Sequence, residues 1–182
     1  MLRWEQKQKG FTIVELLIVI VVIAILAAIT IVAYNGIQAR SENTKTINSI
    51  NAYAKAVHMY AGDQGLYPAL NYPCLGKVSY CANMTDTAGG CEGSGRASAS
   101  APLNTALSTM ALSLPEPSSQ AMDCNGKQYS GAYYYYTNAG KNAGIRYYLK
   151  GNVDCPQIGG LSTGTRYQNS DTTTCAVAFP GL

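Results

Sequence analysis

The sequence predicts an α+β protein in which a long N-terminal α-helix packs on a disulfide-bonded, antiparallel β-sheet head. Three observations lead to this prediction. Residues 11–33 form a nearly unbroken apolar stretch, and residues 47–61 continue it with a helical apolar repeat. The last third of the chain contains tyrosine-rich, strand-like segments separated by Gly- and Asn-rich turns. All six cysteines follow residue 73.

The composition limits the possible functions. Of the 182 residues, only 13% are charged, against roughly 25% in a typical soluble domain. Tyrosine is abundant at 14, while Phe (2) and Trp (1) are scarce. The net charge of +3 is mild and lacks a basic stripe, so charge does not support nucleic-acid binding. The length suits one ordinary domain with a core.

The apolar stretch at residues 11–33 is long enough to cross a membrane. As a helix it would measure about 35 Å, against a bilayer core of about 30 Å. Its polar interruptions are Thr12, Glu15 and Thr30, and neither Pro nor Gly breaks it. A water-exposed helix would have a polar face, and this segment has none. We therefore expect a transmembrane helix here.

The residues before this stretch predict its orientation. Residues 1–10 contain Arg3, Lys7 and Lys9 against a single Glu5. The positive-inside rule places such a segment in the cytoplasm and the rest of the chain outside. An ordinary cleaved signal peptide fits poorly, because the apolar stretch is too long and its alanines lie inside it.

Glu15 is the unusual residue of the apolar stretch. A carboxylate in such a segment is costly and marks a functional site by default. The alternative is that Glu15 lies near the membrane surface and is merely tolerated.

Residues 9–20, KGFTIVELLIVI, resemble the cleavage and methylation motif of type IV prepilins and pseudopilins. The resemblance is strong over residues 1–33 and extends to about residue 68. It implies that a membrane aspartyl peptidase removes residues 1–10 as a cytoplasmic leader. The scissile bond would be Gly10–Phe11, and Phe11 would become the N-methylated first residue. Gly10 suits this bond because it has no Cβ to obstruct a catalytic carboxylate.

The resemblance also implies a role for Glu15 in assembly. The new amine of Phe11 would be positive and would need a countercharge among apolar helices. Glu15 of a neighbouring subunit, or of the same one, can supply it. Such a pair would set the register of assembly more than its strength, because desolvation offsets much of the attraction.

Residues 34–61 are expected to continue the helix in amphipathic form. Gly62 is predicted to end it. Many related proteins have a proline in the first helix, and this chain does not. Gly36 is the weak point at which any local melting would begin. The stripe that we expect to face the head follows a spacing of three and four, at Ile47, Ile50, Ala54, Val57 and Ala61.

No motif indicates catalysis or a cofactor. His58 is the single histidine, and no Cys or acidic residue stands around it at ligand spacing. The sequence therefore predicts neither an enzyme nor a metal site, and His58 is read as an ordinary helix residue.

Residues 62–182 are predicted to form the head. Residues 62–68 indicate a turn, residues 69–101 are interpreted as a loop, and residues 102–115 as a short helix with Met110 in the core.

The end of the chain is predicted to be sheet. Residues 133–137 and 145–149 form a hairpin, with further strands at 165–168 and 173–179. Alternation puts one pair of tyrosines on each face. One pair should pack on the long helix. The other could be an exposed stacking surface for sugars or single-stranded DNA, or ordinary sheet packing.

The cysteines are expected to form three disulfides, because none has the CxxC spacing of a zinc site. Six cysteines allow fifteen pairings, and the residues alone do not choose among them. The resemblance favours Cys155–Cys175, which would close a loop near the end of the chain. The remaining candidates are Cys74, Cys81, Cys91 and Cys124.

The resemblance implies a structural subunit of a type IV pilus-like filament that serves motility, adhesion or DNA uptake. Its partners would be identical or related pilins, the prepilin peptidase and a membrane assembly platform. It would lie in the inner or cytoplasmic membrane before entering an extracellular filament. One alternative is a pseudopilin of a type II secretion or competence system. Another is a membrane-anchored binding module that never polymerises, which would need neither the Gly10–Phe11 junction nor Glu15.

Overall fold

The computed structural model describes residues 10–70, 72–76, 80–86, 93–99, 101–110, 114–120, 122–124, 127–137, 139 and 141–182. The chain divides into two compact units, one ending at Gln38 and the other beginning at Ala39. Helix α1, Ile13–Gln64, belongs to both.

In the first unit, α1 presents apolar side chains on every side. It has no proline, and its backbone stays helical through Gly36. The helix there is covered by nothing else in the described part of the chain, as its apolar composition predicts for a segment that meets lipid or other subunits.

The second half of α1 ends later than the sequence suggests. Gly62 lies inside the helix, which continues to Gln64. Gly65 then adopts a φ of 72°, and its N–H donates to the carbonyl of Ala61 at 2.9 Å. A glycine in the left-handed region is a common helix terminator. The prediction that Gly62 ends the helix was wrong, because Gly65 supplies the terminating geometry.

The second unit contains a sheet and a short helix. The strands run in the order β4-β5-β2-β3-β1-β6-β7-β9-β8. Neighbouring strands are antiparallel except β1 and β3, which are parallel. The elements are β1 (Pro73–Cys74), β2 (Tyr80–Asp86), β3 (Gly93–Ala99), α2 (Ala101–Ser108), β4 (Met122–Cys124), β5 (Lys127–Tyr129), β6 (Ala132–Thr137), β7 (Asn142–Lys150), β8 (Ser162–Gln168) and β9 (Thr172–Ala178).

The prediction of a loop over residues 69–101 was wrong, because this region contributes β1, β2 and β3. Its small residues show no alternation of apolar and polar side chains, so the sequence carries no strand signal there. The strands form through pairing instead: β2 pairs with β3, and β1 joins β3 to the distant strand β6.

Helix α2 is shorter than predicted. It ends at Ser108, and residues 111–113 lie outside the described residues. Leu103 and Leu107 are fully buried, as the periodicity predicts. Met110 is only partly buried, and it packs against the core as expected.

The predicted strands at the end of the chain are confirmed, with boundaries that differ by a few residues. Their inner faces meet the predicted stripe of α1, and Ile47 packs at its edge. Burial in this core raises the pKa of Tyr147 to about 12. The core joins residues from α1, β6, β7 and β9, including Ile50, Ala54, Val57, Ala61, Tyr134, Ile145, Tyr147 and Val177.

The tyrosines of β6 do not form the exposed pair considered above. Tyr134 lies in the core and donates to the carbonyl of Pro68 at 2.9 Å. Tyr133, on the other face, is also buried, and its hydroxyl accepts from Arg146 at 3.2 Å. Tyr133 also packs against Tyr72, with the two ring centroids 6.0 Å apart. Tyr133 is therefore unavailable as a stacking surface.

Candidate processing and assembly site

The predicted cleavage site lies just before α1, in a segment without regular structure. Gly10, Phe11 and Thr12 precede the helix, and all three are exposed. A Cβ built on Gly10 meets nothing within 4 Å. Among the described residues, no neighbour of Gly10 requires a glycine at that position.

Thr12 and Glu15 form a reciprocal cap at the start of α1. The backbone N–H of Thr12 donates to Glu15 Oε2 at 2.8 Å, and its hydroxyl donates to the same oxygen at 2.7 Å. In return, the N–H of Glu15 donates to Thr12 Oγ1 at 3.2 Å. This is a capping box, in which an N-cap Thr and a Glu three residues later satisfy each other's free N–H groups.

The predicted role of Glu15 as a counterion did not include its partner Thr12. The signal was present, because Thr-x-x-Glu before an apolar run is a capping-box pattern. Both bonds from Thr12 end on Oε2. The cap therefore uses one of the two carboxylate oxygens of Glu15.

The apolar side chains that follow the cap are exposed. Phe11 is 84% exposed, and no residue of the most apolar window of α1 is buried. By length and composition α1 can cross a membrane. The large exposed residues of this segment are Phe11, Ile13, Val14, Leu16, Leu17, Ile18, Val19, Ile20, Val21, Val22, Ile23, Ile25, Leu26, Ile29, Ile31, Tyr34 and Ile37.

The predicted Cys155–Cys175 disulfide is confirmed, with its two Cα atoms 5.7 Å apart. It links the loop after β7 to the middle of β9. Cys74 is also disulfide-bonded, and no described cysteine is free. Cys91 and the side chains of Cys81 and Cys124 lie outside what the structure describes, so the other two pairings stay predictions.

Among the described residues no three His, Cys, Asp or Glu side chains cluster at ligand distance. His58 is exposed on the second half of α1, where it lines a groove together with Met59 and Leu161.

Residues 6–31 match the protein family described as the prokaryotic N-terminal methylation motif. The N-terminus carries a prepilin-type methylation motif. The matched range contains Gly10, Phe11, Thr12 and Glu15, and it ends within the exposed apolar part of α1. The motif therefore coincides with the cap and the segment that precedes it.

Several curated proteins are similar to this chain over a little more than a third of its length. Fimbrial protein EcpC of Eikenella corrodens is 46% identical over 67 residues, which are 37% of this chain and 44% of that protein. Type II secretion system core protein G of Escherichia coli K12 is 34% identical over 70 residues, 38% and 48% of the two chains. Type IV major pilin protein PilE1 of Neisseria gonorrhoeae is 39% identical over 64 residues, 35% and 30%.

The similarity is thus limited in extent. The chain spans less than half the length of the curated relatives it matches. No solved structure matches it significantly.

Proposed function

We propose that the chain is a filament subunit that is stored in the membrane, loses residues 1–10, and polymerises through the first part of α1. The observation that carries this proposal is the exposure of apolar side chains around the whole circumference of that segment. A helix of this kind is stable only when lipid or other apolar helices cover it. The similarity to a fimbrial protein and to a major pilin supports the second kind of cover.

The apolar segment of α1 can move between lipid and a bundle of like helices more easily than it can enter water. Burying one Val, Leu or Ile side chain away from water is worth about 1.5–3 kcal/mol. Residues 13–31 hold many such side chains, so transfer into water is prohibitive, whereas transfer from lipid to a bundle of like helices costs little. Removal of a charged leader leaves the anchor intact, which a signal peptidase would not do.

Glu15 is proposed to guide each subunit into place. Once Phe11 is the first residue, its amine is a cation at the start of a helix. The carboxylate of Glu15 is four residues away on the chain and is already held by Thr12. It can accept from the amine of its own chain or of a neighbour. An amine left without this partner among apolar helices would be strongly disfavoured.

The proposed domain organisation follows from these roles. Residues 1–10 are the cytoplasmic leader, 11–33 the membrane and assembly helix, 34–61 its amphipathic continuation and 62–182 the head. The head would lie outside the cytoplasm, and the Cys155–Cys175 disulfide agrees with an oxidising compartment. The subunit's partners would be identical or related pilins, a prepilin peptidase and an assembly platform. It would be a substrate of an enzyme and not an enzyme itself.

A second candidate is a pseudopilin of a type II secretion system. The match to core protein G is as long as the matches to fimbrial proteins. The two candidates share the processing step and differ in the length and location of the filament.

To test this function, the chain is co-expressed with a prepilin peptidase and the filament assembly machinery. The processed protein should begin at Phe11, and sheared surface filaments should contain it. Processing with surface filaments supports a pilin, whereas processing with secretion that depends on the chain and no surface filament supports the pseudopilin. An unprocessed monomer that stays in the membrane would refute both and would leave the anchored binding module.

A further inference from the structure

The second unit has an apolar groove beside α1. Its volume is about 570 Å³, and it lies between the helix and the turn that precedes β8. Met59 and Leu161 supply apolar surface, while Lys55 and His58 supply basic groups. Among the described residues, none of those that line it is acidic. The groove therefore suits an apolar side chain that stands next to a carboxylate.

Such a side chain exists on the same molecule. The large apolar residues that are about half exposed in the described part of this unit are Met59, Leu66, Tyr72 and Leu182. Met59 belongs to the groove. Among the others, Leu66 has an exposed acidic residue three positions earlier, Asp63, in the last turn of α1. Gln64 Nε2 contacts Asp63 Oδ2 at 2.6 Å, which leaves the other oxygen for a partner.

The acidic residue and the basic residue lie at different levels of the same helix. Lys55 and Asp63 are eight residues apart on α1, which corresponds to about 12 Å along the helix. Two copies offset by about this distance along α1 would therefore place Asp63 of one at the level of Lys55 of the other. Leu66 follows Asp63 closely, two residues beyond the end of the helix.

We propose that Leu66 of one copy inserts into the groove of a second copy, with Asp63 facing Lys55. This inference rests on the proposed function and names a contact between heads within the filament. The two surfaces are different patches of one molecule, so the contact is heterologous. A heterologous contact that does not close into a ring propagates, which gives the filament a direction.

Charge reversal tests the polar half of the contact. Lys55→Asp places two carboxylates together, and Asp63→Lys places two ammonium groups together. Because the penalty recurs at every addition, we expect the yield of sheared filament to fall about tenfold in each. The combined variant restores opposite charges and should recover to within about threefold of the parent. Lys45→Asp, an exposed lysine of α1 outside the groove, is the matched control and should assemble normally.

Disulfide crosslinking tests the apolar half. In filaments of the Met59→Cys, Leu66→Cys double variant, oxidation should give a ladder of crosslinked subunits without reducing agent. The Asn48→Cys, Leu66→Cys variant, whose first site lies outside the groove, should give none.

The results distinguish a failure of the head contact from a failure of the proposed filament function. If the charge-reversed single variants assemble like the parent, or the combined variant fails to recover, or no ladder forms in abundant filament, the head contact is wrong and the filament proposal stands. If the parent itself forms no filament under conditions that process it, the proposed function fails first. Loss of a second protein from the filament in Lys55→Asp, with unchanged subunit yield, would assign the groove to that protein and overturn the contact between copies.

Discussion

Asn43 and Lys150 are joined by two hydrogen bonds between positions 107 residues apart. Asn43 Nδ2 donates to the carbonyl of Lys150 at 3.0 Å, and Asn43 Oδ1 accepts from the N–H of Lys150 at 2.8 Å. The side-chain amide thus pairs with the end of β7 as a neighbouring strand would. It holds the start of the amphipathic part of α1 against the sheet.

We predict that Asn43→Ala destabilises the protein by about 1–3 kcal/mol, because two hydrogen bonds are lost and both groups of Lys150 lose their partner. Asn48→Ala is the matched control, since Asn48 is an exposed asparagine of the same helix. Urea unfolding of the full chain in detergent measures both. Equal midpoints for the two variants would show that the amide contributes nothing.

Gly144 of β7 is predicted to tolerate no larger residue. A Cβ there would collide with the Tyr135 hydroxyl and the carbonyl of Val177. Gly144→Ala should therefore cost about 1–3 kcal/mol through overpacking. Gly164 of β8, beside which a Cβ meets nothing within 4 Å, is the control, and Gly164→Ala should be near neutral. Thermal unfolding compares them, and a wild-type melting temperature for Gly144→Ala would contradict the collision.

Gly10→Val is predicted to block processing. The chain has open space at this position, so the substitution should leave the subunit's own fold unchanged. The obstruction would arise in the peptidase, where a Cβ keeps the backbone from the catalytic carboxylates. N-terminal sequencing of membrane-extracted protein tests it. Gly36→Ala, also in open space, should be processed normally. Mature protein that begins at Phe11 in Gly10→Val would refute the prediction.

Substitutions at Thr12 and Glu15 should separate capping from charge. Glu15→Ala removes both, and we expect normal cleavage but a loss of filament of tenfold or more. Glu15→Gln keeps an acceptor for Thr12 without the charge and should be intermediate. Thr12→Val removes the hydroxyl bonds and keeps the charge, so assembly should be nearly normal. Filament yield is measured against processed subunit in the membrane. Normal filament from Glu15→Ala would mean that the carboxylate is merely tolerated.

Removal of the Cys155–Cys175 disulfide is predicted to destabilise the head. The two residues are 20 positions apart, and closing a loop of that length is worth about 3 kcal/mol in the chain-entropy model. The double variant Cys155→Ser, Cys175→Ser should unfold at a correspondingly lower urea concentration. Mass mapping of unreduced peptides from the parent checks the pairing. Free thiols at both positions in secreted protein would exclude it.

Local signals predicted part of the molecule well. The hairpin of β6 and β7 could be predicted because tyrosine-rich runs flank a Gly- and Asn-rich turn. The apolar stripe of α1 from Ile50 to Ala61 could be predicted because its spacing matches the helical repeat. In contrast, β2 and β3 pair as consecutive strands without an apolar alternation that would have indicated them, and β1 pairs with β6, which lies about 60 residues later in the chain.

The sequence by itself determined the apolar segment, and it carries the Thr-x-x-Glu pattern of the cap at its start, because both depend on neighbours within a few positions. Only the tertiary structure decided which tyrosines are buried, how Asn43 meets Lys150 and how Lys55, Met59 and Leu161 come to share a groove. Those relationships join residues up to 107 positions apart. Side-chain packing and strand pairing across such separations depend on the whole fold, so they cannot be predicted from local sequence patterns.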